Sequence, residues 1–416
     1  MRFIPVSKNI LFFLLAICSI MLNLSCNKDD TTEAPKIINI AAGSTAASQA
    51  QTAFIEVDSN FTIVFGEGKF LFTNTLSMDG KNKVIIKGAG RDKTILDFSG
   101  QTSGGEGVLI SKSNSIRFED ITILDSKGDA LKARDCNKIS FVNVGTVWSG
   151  TPKQANGAYG LYPVLCSEVY IDKCYAYGAS DAGIYVGQSD KIIVKSSIAE
   201  GNVAGIEIEN STNADVFDNE AFDNTGGILV FDLPGLTKYG NSTRVYNNNI
   251  HDNNRISFAP KGNIVANVPV GTGCMILSTK NVEIFNNKLV ENTFAGVLVV
   301  NYLIFNSKPN DAKYDPFPSG IYIHDNANTL IGSVNRVDQP DLIKDVLTIL
   351  FLYGLKQPHI LIDGLLSSPN SICIKETSST FINLNAGDTS FKSITTNSTA
   401  QTCTMTPLPE VKFIPF

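Results

Sequence analysis

Apolar and polar residues alternate in short segments along most of the chain, and Asn, Asp, Ser or Gly interrupt each segment. Alternation with a period of two predicts strands, and the interruptions predict turns. The pattern also repeats on a longer scale. In "DAGIYVGQSDKIIVKSSIAEGNVAGIEIENSTNADVFDNEAFDNTGGILVFD", residues 181–232, Gly183, Gly205 and Gly227 are spaced by 22, and each precedes an isoleucine (Ile184, Ile206, Ile228). Related phrases start at residues 114, 137, 167, 243 and 280. Several short strands per period of about 22, with no helix between them, predict a solenoid of parallel strands with one coil per phrase. Asn219, Asn248 and Asn287 share one slot of the phrase. Stacked at successive turns, their amides would satisfy buried groups that otherwise destabilise the coil by roughly 1–3 kcal/mol each. A surface residue such as Lys280 should carry little by comparison.

Two stretches depart from this pattern. Residues 44–57, "STAASQAQTAFIEV", have the spacing of a short amphipathic helix that would protect the first coil, since a solenoid must cover its ends. Residues 341–355, "DLIKDVLTILFLYGL", have helical spacing within an irregular C-terminal region. The expected organisation is an export segment (1–25), a tether (26–43), a parallel β-helix (44–330) and a C-terminal cap or small module (331–416).

Composition narrows the setting. With 43% hydrophobic residues the 416-residue chain can bury a core, and its net charge of -6 offers no basic field for nucleic acid. Arg2 and Lys8 flank "ILFFLLAICSIMLNL", a run shorter than the roughly 20 apolar residues of a membrane span and suited to a signal peptide. It ends at "LSC", which resembles a bacterial lipobox with Cys26 as the lipidated residue. The following "NKDD" resembles the acidic surface-export tag of Bacteroidetes lipoproteins. These features predict a lipid-anchored place on the outer membrane, at its periplasmic face or at the cell surface. An oxidising compartment permits disulfides, and Cys373 with Cys403 is the expected pair. Cys136 and Cys166 end equivalent phrases and would stack as core thiols. No CxxC or Cys/His zinc spacing occurs.

The run from "EGKFLF…KGAGRDKTILDFSGQTSGGEGVLIS" through "NGAYGLYPV", "DAGIYVGQS", "NVAGIEIENS", "GGILVFDLPG" and "APKGNIVANVPVGTG" resembles the exported, often lipidated, right-handed parallel β-helix proteins. The likeness covers roughly residues 45–330 and implies an all-β, right-handed coil of the pectin-lyase-like kind. Broader relatives include pectate lyases, alginate lyases and mannuronan epimerases; the close family implies no particular activity.

Within a phrase, alternation turns Ile206 and Ile208 inward and Glu207 and Glu209 outward. Aligning the phrases gives one outward column of Lys132, Tyr162, Tyr185, Glu207, Leu229, Ile276 and Leu298. A second runs Arg134, Val164, Gly187, Glu209, Phe231, Ser278 and Val300. Lys132 to Glu207 spans about 14 Å at roughly 4.8 Å per coil, the reach of a few sugar units. The apolar later members must be covered, and insertions at 232–241, 255–273 and 302–320 can do so, while residues 148–160 would wall the other side. The candidate site is therefore a groove over residues 130–210, with Tyr185, Glu207, Tyr162, Lys132 and Arg134 as catalytic candidates. Glu209, Gln188, Asn210, Trp148 and Asp181 are the candidates for substrate contact.

Three chemistries fit a polysaccharide in that groove. In uronate elimination or epimerisation, Lys132 or Arg134 would neutralise the sugar carboxylate while Tyr162 or Tyr185 exchanges protons. In hydrolysis, Glu207 and Glu209 would act as acid and base, at a separation of about 6.6–7 Å. Alternatively Glu207 and Glu209, with Asp181 or Asn210, would ligate Ca²⁺. The Gly-His-Gly of polygalacturonases and the Asp-Pro-His of mannuronan epimerases are both absent. The non-enzymatic alternative is an adhesion or scaffold module acting with another envelope protein. A copper-handling role lacks the His/Met/Cys clusters it would need.

Overall fold

The computed structural model describes residues 34–305, 309–329, 332–368, 371–388 and 392–416. The export segment and Cys26 lie outside them. From Lys36 onward the chain winds as a right-handed parallel β-helix. Each full coil adds one strand to each of three parallel sheets, which among the described residues have 12, 10 and 11 strands. The first sheet runs from Lys36–Ile40 to Ile372–Lys375, the second from Gly68–Leu71 to Ala327–Asn328, and the third from Leu76–Asp79 to Phe381–Asn383.

The inward columns explain why the alternation folds this way. In the first sheet, Ile63, Ile86, Phe118, Phe141, Ile171 and Val194 are paired strand to strand and fully buried. β-Branched and aromatic side chains suit this pleated, buried surface. At the turns the backbone is left-handed, and the sequence supplies residues that tolerate it: Asp218, Asn247, Asn286 and Asp325 all have φ between 54° and 56°. The residue after each is a ladder asparagine.

That ladder forms. Asn219 Nδ2 donates to Asn248 Oδ1 (3.0 Å), Asn248 Nδ2 to Asn287 Oδ1 (2.9 Å) and Asn287 Nδ2 to Asn326 Oδ1 (2.9 Å). A second ladder, unread in the sequence, runs through Asn202, Asn224, Asn253 and Asn292 with amide contacts of 3.0–3.1 Å. Its signal is plain in retrospect: Asn224, Asn253 and Asn292 each follow a first-ladder asparagine by five residues. Cys136 and Cys166 are buried at successive turns, as stacked core thiols should be, and Cys373 is bonded to Cys403.

Helix α1 (Ala46–Glu56) buries Ala46, Ala50, Ala53 and Phe54 against the end of the core. Two features differ from the expected boundaries. Lys36–Ile40, within the stretch read as tether, pairs with Ser59–Phe65 as the first strand. The coil also continues past residue 330, because Ile360–Ile362, Ile372–Lys375 and Phe381–Asn383 extend the third and first sheets. Long insertions break the period there and hide these last strands from a repeat search.

The insertions gather over the outer face of the third sheet. Together with helix α2 (Asp341–Leu352) they build a second apolar core, in which Val265, Val268, Ile343, Val346 and Leu350 pack with Leu229, Phe231 and Leu298. The C-terminal residues return along the outer face of the first sheet. Leu408 N–H donates to Glu283 (2.9 Å), Val411 N–H donates to Asp215 (3.0 Å), and the Phe416 carbonyl accepts from Arg117 (3.3 Å).

Candidate functional site

The outward columns exist, with one correction. Leu229 pairs with Met275 and Met275 with Leu298, while Phe231 pairs with Leu277 and Leu277 with Val300. Ile276 therefore points into the main core, and Ser278 lies one position beyond its expected slot. The long insertion before Thr272 shifted the alignment by one residue, which in a strand moves a side chain to the other face.

The early members of the columns face outward, yet most are not exposed. Tyr185, Glu207, Glu209 and Asp181 are all buried, with Glu207 at 1% exposure and Asp181 at 3%. Tyr162 and Lys132 are half-buried, and only Arg134 is open to solvent. Lys132 Nζ lies 3.4 Å from Glu106 and 3.5 Å from Asp129, and 4.6 Å above the Tyr162 ring. Arg134 pairs with its neighbour Asp135 at 3.3 Å. Both cations are thus held away from the buried acids.

Three residues expected at the substrate hold the scaffold instead. Trp148 is buried in the main core, and its indole N–H donates to the Ser126 carbonyl (2.7 Å). Asn210 fastens one insertion: its amide donates to the carbonyls of Leu233 and Lys238, and its oxygen accepts from Leu233 N–H, all at 2.8 Å. Gln188 accepts from the Thr237 N–H (3.0 Å) and hydroxyl (2.8 Å) of the same insertion. Asn210 and Gln188 thereby fasten the insertion that walls a cleft.

That cleft measures about 310 Å³. Leu233, Pro234 and Leu236 form one wall, Asn263, Ile264 and Val265 the other, and Tyr159, Asp181 and Glu209 line it from the coil. Four other cavities among the described residues, of about 40 to 460 Å³, are lined by no more than one carboxyl each. Tyr159 was missed by the sequence reading because it sits three residues ahead of Tyr162, at the start of its strand and outside the two columns. Its ring lies 4.5 Å from those of Tyr162 and Tyr185, which are themselves 5.0 Å apart.

Glycine 187 gives this cluster its shape. A Cβ there would fall 2.4 Å from Tyr185 Cε1 and 2.5 Å from its hydroxyl, so only glycine lets the ring cross the strand. The hydroxyl thereby reaches the next coil and donates to Glu209 Oε1 at 2.6 Å. Asp181 Oδ2 accepts from Asn263 Nδ2 at 2.9 Å, whereas Oδ1, though buried, has no partner among the described residues. Neither carboxyl oxygen of Glu207 has one. Orphaned buried oxygens cost stability and call for an explanation.

Protonation supplies part of it. Burial, then the neighbouring Glu209 and Asp181, raise the Glu207 carboxyl well above its usual range. Its surroundings beneath the cleft thus favour the neutral form of Glu207. Burial raises Asp181 to about 7, with Glu209 adding to the shift and the Asn263 hydrogen bond opposing it. Burial also raises Glu209, while the Tyr185 hydroxyl favours its ionised form. Carboxyls in unequal settings titrate apart, and Glu209 has the Tyr185 hydroxyl at 2.6 Å favouring its ionised form.

The oxygens do not fit Ca²⁺, which takes six to eight oxygen ligands. Glu209 and Asp181 each already accept a hydrogen bond, both ends of the Asn210 amide are used by the insertion, and Glu207 is sealed below. Among the described residues, no group of three or more His, Cys, Asp and Glu side chains is placed to hold a metal ion.

Residues 54–242 match the family model for the right handed beta helix region. No curated protein matches the sequence. Among solved structures, the chain is similar to the A-module of a mannuronan C-5 epimerase from Azotobacter vinelandii, at 12% identity and a TM-score of 0.47, over 81% of this chain and 92% of that one. It is also similar to an α-1,3-glucanase catalytic unit from Streptomyces thermodiastaticus, at 12% identity and a TM-score of 0.46, over 81% and 52% of the two chains. An alginate lyase from a Paenibacillus species gives 12% identity and a TM-score of 0.34, over 72% and 97%. These likenesses concern the fold.

Proposed function

We propose that this β-helix binds a neutral polysaccharide in the cleft of Tyr159, Asp181 and Glu209 and cleaves a glycosidic bond there. One observation carries the reading: a buried aspartic acid with an unpartnered oxygen shares a cleft with a carboxylate held by a tyrosine hydroxyl. Asp181 gives its proton to the glycosidic oxygen as the bond to the sugar carbon breaks. Glu209 takes a proton from the water that attacks that carbon, and two free sugar ends result. Glu207, expected from the sequence as one of the pair, is sealed and acts only through its neighbours.

The choice of a neutral sugar follows from charge. A uronate would face Asp181 and Glu209, while Lys132 already lies between Glu106 and Asp129 and Arg134 sits outside with Asp135. Elimination or epimerisation of a uronate needs a cation at the sugar carboxylate, and none lines the cleft. The sequence motif at Cys26 supports a lipid anchor on the outer membrane, which would hold the cleft near envelope or external glycans.

The test is binding and product analysis on neutral and acidic glycans with wild type, Asp181→Asn and Glu209→Gln. Each variant should lose turnover by about 10²-fold or more while retaining binding. Wild-type binding without turnover would replace the hydrolase with an adhesion module. Preference for uronates would reverse the charge argument.

A further inference from the structure

The cleft is closed on one side of the coil axis and open on the other. Directly after Glu209, the columns continue with Leu229 and Phe231, both fully buried. Val265 and Val268 cover this step, and α2 seals the coils beyond it. A glycan seated at Asp181 and Glu209 cannot continue along the sheet in that direction without unpacking the second core. Toward the earlier coils the floor remains accessible: Tyr162, Lys132 and Leu109 are half-buried, and Arg134 is exposed. Tyr159 lines the cleft and touches Tyr162, so the two regions share a continuous aromatic floor. The volume of about 310 Å³ lies at the low end of the roughly 300–1,000 Å³ of small-molecule sites, which is room for a short terminal piece.

We infer that the cleft receives the end of a glycan chain, and that the rest of the chain leaves over Tyr162 and Lys132 toward the lower-numbered coils. The inference rests on the glycan reading of the same cleft and adds to it a direction and a choice of chain end. The apolar insertions are then the specificity device, because they block internal segments that an open sheet would accept. Asp181 is the second observation that keeps this from resting on the acidic cluster alone: it is buried, lines the cleft, and carries an oxygen with no hydrogen-bond partner among the described residues.

The experiment uses size-fractionated neutral glucans, mannans, galactans and fructans with the full-length protein. Capacity at saturation is measured for each fraction, and product size is followed from the first time point. End recognition gives one binding site per chain whatever its length, so capacity per gram falls as chains lengthen. It also gives short products from the start, with little early change in mean polymer size. Capacity per gram that stays constant, or polymer size that collapses before short products accumulate, overturns the end-on inference and leaves the glycan reading intact. Failure to bind any neutral glycan overturns both. Tyr162→Ala provides an independent check, with folding verified by its melting curve. It should weaken long oligosaccharides about tenfold more than the shortest bound fragment. Equal weakening would mean that the chain does not cross Tyr162.

Discussion

Replacing Asn248 with leucine tests the ladder that closes the turns. Asn248 Oδ1 accepts from both the backbone N–H and the side-chain amide of Asn219, each at 3.0 Å, while its own amide donates to the Val216 carbonyl at 2.9 Å. Leucine has a similar volume but can make none of these bonds. The Asn219 side chain would keep its bond to the Val194 carbonyl, and Asn287 Oδ1 would keep the residue-248 backbone N–H. Asn219 Nδ2 and Asn287 Oδ1 thus each lose one of two partners, while two buried groups, the Asn219 N–H and the Val216 carbonyl, lose their side-chain partner outright. At roughly 1–3 kcal/mol for each, the variant should lose about 2–6 kcal/mol. Asn326→Leu at the half-buried end of the ladder should lose less, since water can replace what leucine cannot supply. Urea denaturation with hydrogen exchange read at Asn219 is the assay. Exposed Lys153→Ala, expected within about ±0.5 kcal/mol, is the control. Lys280 is unsuitable despite its neutral look in the sequence, because its ammonium pairs with Asp315 at 2.9 Å and pins an insertion. Equal urea midpoints for Asn248→Leu and Lys153→Ala would refute the reasoning.

Stability should fall as pH rises from about 4 to 7. Asp129 (about 6), Asp181, Asp232 and Asp363 (each about 7) hold protons in the fold that an unfolded aspartate releases near 4, and urea midpoints at pH 5 and 8 check this. Asp181→Asn should flatten the dependence. Turnover should fall above pH about 7 as Asp181 loses its proton. Tyr185→Phe should move the acidic limb of the pH profile upward, because Glu209 loses the donor that favours its charge. Gly187→Ala should reproduce that shift by displacing the same ring, and an unchanged profile in both would remove Tyr185 from the site. Cys26→Ala should release the protein from the membrane fraction; continued pelleting with membranes would refute lipid anchoring.

The coil was legible in the sequence because its rules are local. Alternation decides which face of Ile206 and Ile208 is buried, and the 22-residue return of Gly183, Gly205 and Gly227 sets one coil against the next. The expected ladder through Asn219, Asn248 and Asn287 followed from the same register. The site was less legible because its cover arrives from far along the chain. Asn263 reaches Asp181 across 82 residues, and the insertion holding Leu233 is fixed by Asn210 and Gln188. No periodicity announces that Glu207 will be sealed while Asp181 and Glu209 line a cleft. The one-residue displacement at Met275 has the same origin, since an insertion carries no register of its own.

The returning C-terminus changes how the whole molecule comes apart. A solenoid is nearly one-dimensional: each coil touches only its neighbours, so its ends can fray one coil at a time. Here the last coil is bonded through Cys373 to Cys403, and the chain beyond crosses back over the first sheet to Arg117, 299 residues from Phe416 in sequence. Peeling off the final coils must either drag this segment away or leave it bridging a gap. The terminal residues thus convert a stack of separable steps into a more cooperative body. Trimming the chain back to Cys403 should broaden the unfolding transition before it abolishes the fold.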